Sequence, residues 1–319
     1  MPWEHSGHGS RSTGVRIRVA LLLSAAVVTT LASACVVWLV RDPGPWFAER
    51  RSRIVTVQEH PAVVSGQSRL QSVRVVAASG LAVDLTWKRS LADSGRRLPL
   101  AVILGGHLMG AEAARMVGET PGVMVAAISY PFAGDPRPGR ATFLRQVPAI
   151  RRAFLDTPPA LMLALDYLRA RPDVDTTRVE AIGVSLGAPF ITIAGALDPR
   201  FTRVWAMHGS GGSYAPLAMN MERTIRFAPL RAVAAGIANV IVAGPRLAPE
   251  RWVGQIAPRP FIMVNAEGDE RLPRAAVQTL YDRARQPKEL IWMSGAHIHA
   301  DAETIQRLVG IVLQRVKTP

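Results

Sequence analysis

From Leu70 onward the chain alternates short apolar runs with segments of helical spacing, and this alternation constrains its fold more than any other feature. "SVRVVAASGLAVDLTWKRS" reads as two strands joined at Ser79-Gly80, a hairpin-like opening. The runs "PLAVILGG", "GVMVAAISYP", "RVEAIGV", "TRVWAMH", "PFIMVNA" and "KELIWMS" follow as strands. Helical stretches lie between and after them: "MGAEAARMVGE", a helix–break–helix at "PAIRRAFLDTPPALMLALDYLRARPDVD", Leu186 to Leu197, "PRAAVQTLYDRARQ" and "AETIQRLVGIVLQRV". Leu161, Leu165 and Leu168 mark one apolar helical face. Buried strands separated by helices imply an α/β fold: a mostly parallel, doubly wound sheet with helices on both faces.

Such a sheet places its sites beyond the carboxyl ends of its strands, so reactive side chains are sought directly after a strand. Ser185 passes that test, in "GVSLG" between a strand and a helix. A nucleophile on so tight a turn needs glycine two residues to either side, here Gly183 and Gly187, because side chains there would collide. The helix that follows directs free N–H groups at the site, where negative charge can develop. A serine hydroxyl is a weak nucleophile at neutral pH and needs a base held by an acid. Asp269 in "NAEGDERLP" and His297 in "SGAHIHA" each follow their own strand; Glu267, Glu270 and His299 are their neighbouring rivals.

The order serine, acid, histidine resembles that of the α/β-hydrolase family, over about 70–316. The similarity is greatest to dienelactone-hydrolase-like and esterase-like members, through "EGDERLP" and "GAH". The resemblance implies Ser185 as nucleophile, Asp269 as acid and His297 as general base. It implies an oxyanion hole from two backbone amides. One belongs to Leu186, and the other to the "LGGHLMG" loop at about His107, with Leu108 as the alternative and a neighbour of the substrate. It implies neither cofactor nor metal.

Two motifs offer other readings. "HIHAD", His297 to Asp301, resembles the metal-binding run of metallo-β-lactamase-like hydrolases, but no histidine or aspartate follows Asp301 to complete the ligand set. "HGSGG", from His208 to Gly212, resembles an esterase oxyanion run. It comes after the serine turn, where it reads as a glycine loop or as acyl-pocket lining. The segment 214–258 interrupts the alternation where family members place a cap. Its Met219, Met221, Ile225 and Phe227 fit either an apolar substrate pocket or the cap's own core, and methionines there would adapt to varied acyl chains.

The formal net charge is +14, nearly all from arginine, since Lys88, Lys288 and Lys317 are the only lysines. The arginines are scattered without a basic run interleaved with aromatics, which argues against nucleic acid and for anionic lipid or substrate. Cys35 is the only cysteine, so an internal disulfide and a cysteine-based metal site are excluded.

Residues 19–40, between Arg18 and Arg41, carry no charge and are long enough to span a bilayer. They read as a signal anchor, a cleaved signal peptide ending near Ala34, or a lipoprotein signal acylated at Cys35. The chain thus divides into a tail, 1–18; a transmembrane or signal segment, 19–40; a linker leading into the domain, 41–69; and a hydrolase domain, 70–319, with a cap at about 214–258. The expectation is a membrane-tethered or exported serine hydrolase, its domain outside the cytoplasm, acting on a small-molecule or lipid-like ester or thioester. An acyltransferase using the same three residues and a non-catalytic binding protein are the alternatives.

Overall fold

The computed structural model describes residues 10–106, 109–135, 137–297 and 302–316. They form two units, divided between Asp42 and Pro43. The first is a single helix, α1 (Ser10–Val40). Its stretch Leu21–Trp38 has a mean hydropathy of 2.1 and buries none of its residues. Among the described residues it is the one helix long and apolar enough to cross a membrane.

The second unit is built on ten strands: β1 (Ile54–Glu59), β2 (Val63–Ser65), β3 (Ser68–Ala77), β4 (Ala82–Ser90), β5 (Leu98–Leu104), β6 (Met124–Ile128), β7 (Val174–Val184), β8 (Arg203–Met207), β9 (Phe261–Ala266) and β10 (Lys288–Met293). They lie in one sheet in the order β1-β3-β4-β6-β5-β7-β8-β9-β10, with β2 paired to β3. β6, β5, β7, β8, β9 and β10 are mutually parallel. β4, β3 and β1 extend one edge antiparallel. Every residue of β5, β6 and β9 is buried, as both-face coverage requires.

The helices of this unit are α2 (Gly44–Arg51), α3 (Ala113–Met116), α4 (Arg140–Arg169), α5 (Gly187–Leu197), α6 (Tyr214–Met221), α7 (Ala228–Ile241), α8 (Arg274–Arg283) and α9 (Ala302–Val316). Leu308, Val312 and Val316 of α9 pack with Ile103, Ile182 and Trp205 on one face of the sheet. Val204, which alternates with Trp205, meets α5 at Gly195 on the other face. This is the mostly parallel α/β sheet, covered on both faces, that the alternation predicts.

Three segments differ from the sequence reading. The helix expected at "MGAEAARMVGE" shrinks to a 3-10 turn, Gly110–Glu112, and the single turn of α3. The helix–break–helix is one thirty-residue helix, α4, running through Pro148, Pro158 and Pro159. Proline removes a helical donor. Here Leu161, Leu163, Leu165 and Leu168 are each fully buried, and the burial of such side chains, at about 1.5–3 kcal/mol apiece, outweighs the local break.

Third, 41–69 is built structure rather than a linker. Phe47 of α2 is fully buried. Arg50 grips Asp156 with two nitrogens, at 2.8 and 2.9 Å. Arg51 pairs with Asp166 and reaches Asp198 at 3.3 Å. Prolines and charges read as helix interruption also suit a short docked helix whose arginines have carboxylates waiting.

Candidate active site

Ser185 sits between β7 and α5 with a positive φ of 53°, a conformation costly for a residue with a Cβ. The two glycines show why the turn is possible. A Cβ at Gly183 would lie 2.3 Å from Ile191 Cγ2, and one at Gly187 would lie 2.1 Å from the Leu104 carbonyl oxygen. Both distances are shorter than atoms tolerate, so no other residue fits without moving the backbone. The amide of Ser185 donates to the Met207 carbonyl across 2.8 Å, which fixes the turn to β8.

The hydroxyl of Ser185 donates to His297 Nε2 across 2.8 Å. The other ring nitrogen, Nδ1–H, donates to Asp269 Oδ2 across 2.8 Å. The hydrogen-bond chain itself sets this tautomer. The side chains of His297 and Asp269 are each 3% exposed, so both bonds lie in a water-poor environment that strengthens them. Asp269 Oδ1 accepts from the amides of Arg271 and Leu272, each at 2.9 Å. Burial alone would raise the Asp269 carboxyl, but the hydrogen bonds from two histidines and from the loop outweigh it and hold it well below the usual carboxylate range. Ionised Asp269 is therefore ready to stabilise a cationic imidazole.

The second histidine is His208, which sequence reasoning placed in a glycine loop. Its Nδ1–H donates to the same Asp269 Oδ2 across 3.2 Å, and its ring stands edge-on to His297 with centroids 5.0 Å apart. It also has a positive φ, 47°, and is 3% exposed. A signal was available: His208 follows β8 as directly as Ser185 follows β7. The motif reading drew attention to its glycines instead.

The rival residues take other places. Glu270 accepts the backbone amide of His297 across 2.9 Å, and that bond lowers its pKa. It thus holds the histidine loop rather than the imidazole. Glu267 is exposed. His107, Leu108, His299 and Asp301 lie outside the described residues. Next to that gap, a Cβ built at Gly106 would stand 3.7 Å from Ser185 Cβ, so the glycine loop does approach the serine. The Tyr130 hydroxyl donates to the Gly105 carbonyl across 2.8 Å and secures the loop from β6.

A cleft of about 710 Å³ opens over these groups, with Ser185, Leu186, His208 and His297 among its lining residues. From α6 the wall is formed by Pro216, Leu217 and Asn220. Met219 and Met221, expected against the substrate, are half-buried and outside that lining. The reason is angular: at about 100° per residue they fall to either side of the face shared by 216, 217 and 220. Asn220 also donates to the Arg271 carbonyl across 3.0 Å, joining α6 to the loop that carries Asp269.

His208, Asp269 and His297 offer donor atoms all within 4.8 Å of one another, a set that a cation can use. Both histidine Nδ1 atoms already face Asp269 Oδ2 as hydrogen-bond donors, and those bonds account for the cluster without an ion.

No family model matches the chain. Over 139 residues it is 25% identical to the uncharacterised protein YfhR of Escherichia coli, in both strain O157:H7 and strain K12. That match covers 43% of this chain and 44% of the relative, so the chain spans under half the length of the curated relatives it matches. Among solved structures, an acetyl xylan esterase from Paenibacillus sp. R4 superposes with a TM-score of 0.63 at 14% identity, over 85% of this chain and 93% of that one. Acetyl xylan esterase 1 from Thermoanaerobacterium sp. JW/SL YS485 gives 0.57 at 14%, over 86% and 94%. The α/β hydrolase GrgF from Penicillium sp. sh18 gives 0.54 at 15%, over 82% and 99%. The chain has the α/β-hydrolase fold.

Proposed function

We propose that this chain is a serine hydrolase of carboxylic esters or thioesters, working through an acyl-enzyme on Ser185, His297 and Asp269. One observation carries the reading: a continuous hydrogen-bond chain from Ser185 Oγ through both nitrogens of His297 to Asp269, at the floor of an open cleft. In attack, Oγ bonds to the substrate carbonyl carbon while its proton passes to His297 Nε2. The carbonyl electron pair moves to oxygen, where the Leu186 amide and the 105–108 loop take the charge. Collapse expels the alcohol or thiol, which takes the proton from Nε2. Water then attacks the acyl-enzyme by the same route and frees the acid and Ser185.

Asp269 stays ionised throughout, orienting the imidazole and stabilising its cation. His208 steadies that carboxylate through a second bond to the same oxygen. The 214–258 segment serves as a cap over the cleft, and α1 serves as a membrane span preceding the catalytic unit. Esterases are prominent among the structures sharing this fold, and the two acetyl xylan esterases above superpose over most of their length, which supports ester chemistry.

A fluorophosphonate probe tests the reading directly. Wild type should label and lose activity on aryl esters, and Ser185→Ala should do neither. Equal labelling of the variant would remove Ser185 from the mechanism.

A further inference from the structure

The cap helix α7 presents its apolar side outward. Leu230, Val233 and Ile237 are 56%, 60% and 57% exposed, and Phe227, its N-cap residue, is 68% exposed. At about 100° per residue these four fall within one 120° stripe. The opposite face is the one that packs: Ala235 is buried, and Asn239 accepts a hydrogen bond from Ser213 beside α6. A cap in contact with water alone would bury this stripe. Arg223 and Arg226, on the turn before α7, are exposed and make no ion pair among the described residues. A second patch of the same character lies on the first turn of α4, where Phe143 and Leu144 are 48% and 71% exposed beside exposed Arg145.

Both patches stand on elements that leave the sheet at the end where the cleft opens. α4 begins after the carboxyl end of β6, and the cap follows the carboxyl end of β8. The chain also enters the compact unit at this level. Trp46 of α2 lies under the Arg152 guanidinium, 5.3 Å from ring centroid to carbon. Two residues on from Arg152, Phe154 packs on Phe190 in the first turn of α5 with centroids 5.3 Å apart, and Phe154 lines the cleft. The other end of α2 reaches Asp198, at the far end of α5. So α2 starts at the level of the cleft lining and runs away from it, and its first residues are those nearest the cleft. Only Arg41 and Asp42 separate Pro43 from the end of α1, a covalent reach of about 10 Å.

We infer that the outer face of α7, with the first turn of α4, is a membrane-docking surface: it rests in the headgroup region of the bilayer that α1 spans and turns the cleft mouth toward ester lipids in that bilayer. The inference rests on the reading of α1 as a membrane span. The chemistry matches on each count. An amphipathic helix with bulky apolar side chains outward and arginines at its margin lies in an interface, held by apolar burial and by attraction to anionic headgroups. The occupant is a bilayer rather than a second copy because only residues 41–43 lie between α1 and α2, so a bilayer spanned by α1 is covalently close to the unit that carries the stripe.

The single cysteine makes the test clean. The full chain is placed in vesicles of phosphatidylcholine and phosphatidylglycerol, and an environment-sensitive fluorophore is attached at one site per sample. Cys35 in the wild-type chain reports on α1. In a Cys35→Ala background, Leu230→Cys and Ile237→Cys report on the stripe, and Ser94→Cys reports on the opposite end of the sheet, at the start of β5. Lipid-borne nitroxides should quench the labels at 35, 230 and 237 severalfold more than the label at 94. Adding Arg223→Glu and Arg226→Glu should weaken quenching at 230 but not at 35. Quenching at 35 without quenching at 230 and 237 overturns the docking surface and leaves the anchor standing. Absence of quenching at 35 removes the anchor and the inference together. A blue-shifted label at 230 that lipid nitroxides do not quench assigns the stripe to protein–protein contact and also overturns it.

Discussion

Helices α5 and α7 are close in composition and opposite in setting. α5 is eleven residues of mostly small and apolar side chains, and buries eight of them, among them Phe190, Ile191 and Ile193. α7 is fourteen residues of similar character, and buries only Ala235. Both carry an apolar face that the sequence displays openly. What the sequence does not display is the surface each face meets. α5 is pinned behind Ser185, between β7, β8 and α4, so its direction follows from the strand before it. α7 stands in an insertion, and no strand dictates its rotation.

That contrast can be broken at several strengths. The largest effect belongs to the turn that opens α5: Ser185→Ala should lower kcat/KM on an aryl ester by roughly 10⁴-fold or more, read in steady-state assays. Next is the buried side of α5. Ile191→Ala should cost about 2–5 kcal/mol of unfolding free energy, measured by denaturant titration. His208→Ala should lower kcat roughly tenfold with KM little changed, because Asp269 loses one of its donors but keeps His297 and two amides. Equal losses in kcat and in stability, with no change on further alteration of Asp269, would make His208 a packing residue only. Leu230→Ala on α7 should stay within about 0.5 kcal/mol of wild type in the same titration. A large loss there would mean that the stripe is covered by protein. The smallest effect is that of a chelator, which should leave ester hydrolysis unchanged despite the His208, Asp269 and His297 cluster.

Acidity gives a further handle on the site. The pKa of Asp269 is lowered in the folded chain, so its stabilising contribution is fully present above the ordinary carboxylate value of about 4 and is lost as pH falls through the lowered one. The stability gap between wild type and Asp269→Asn should therefore narrow on acidification. A gap independent of pH would mean that the carboxylate is not held by charge-dependent bonds.

Local chemistry was legible in the sequence where it coincides with a strand end. That rule singles out Ser185, Asp269 and His297 as candidates, and the structure brings them within hydrogen-bonding distance. Gly183 and Gly187 were legible because steric necessity is local. His208 obeyed the rule too, yet its partner lies sixty-one residues away on another loop, and nothing near it in the chain announces the contact. The continuity of α4 was hidden for a similar reason. Two adjacent prolines speak for a break, and the sheet, α2 and α5, all distant in the chain or beyond the helix, supply the packing that overrules them. Met219 and Met221 show the limit of composition, which names adaptable side chains but not the side of a helix they occupy.

The clasp of α2 bears on how the protein can be shortened. A chain trimmed to begin at Leu70, where the recognisable pattern starts, would strip Arg50 and Arg51 from Asp156 and Asp198, two carboxylates that are 5% and 2% exposed in the whole chain. Arg152 and Arg200 would remain as their counter-ions, and Trp252 would lose the ring of Phe47. Any expression boundary that respects the enclosed charges must therefore fall at or before Pro43.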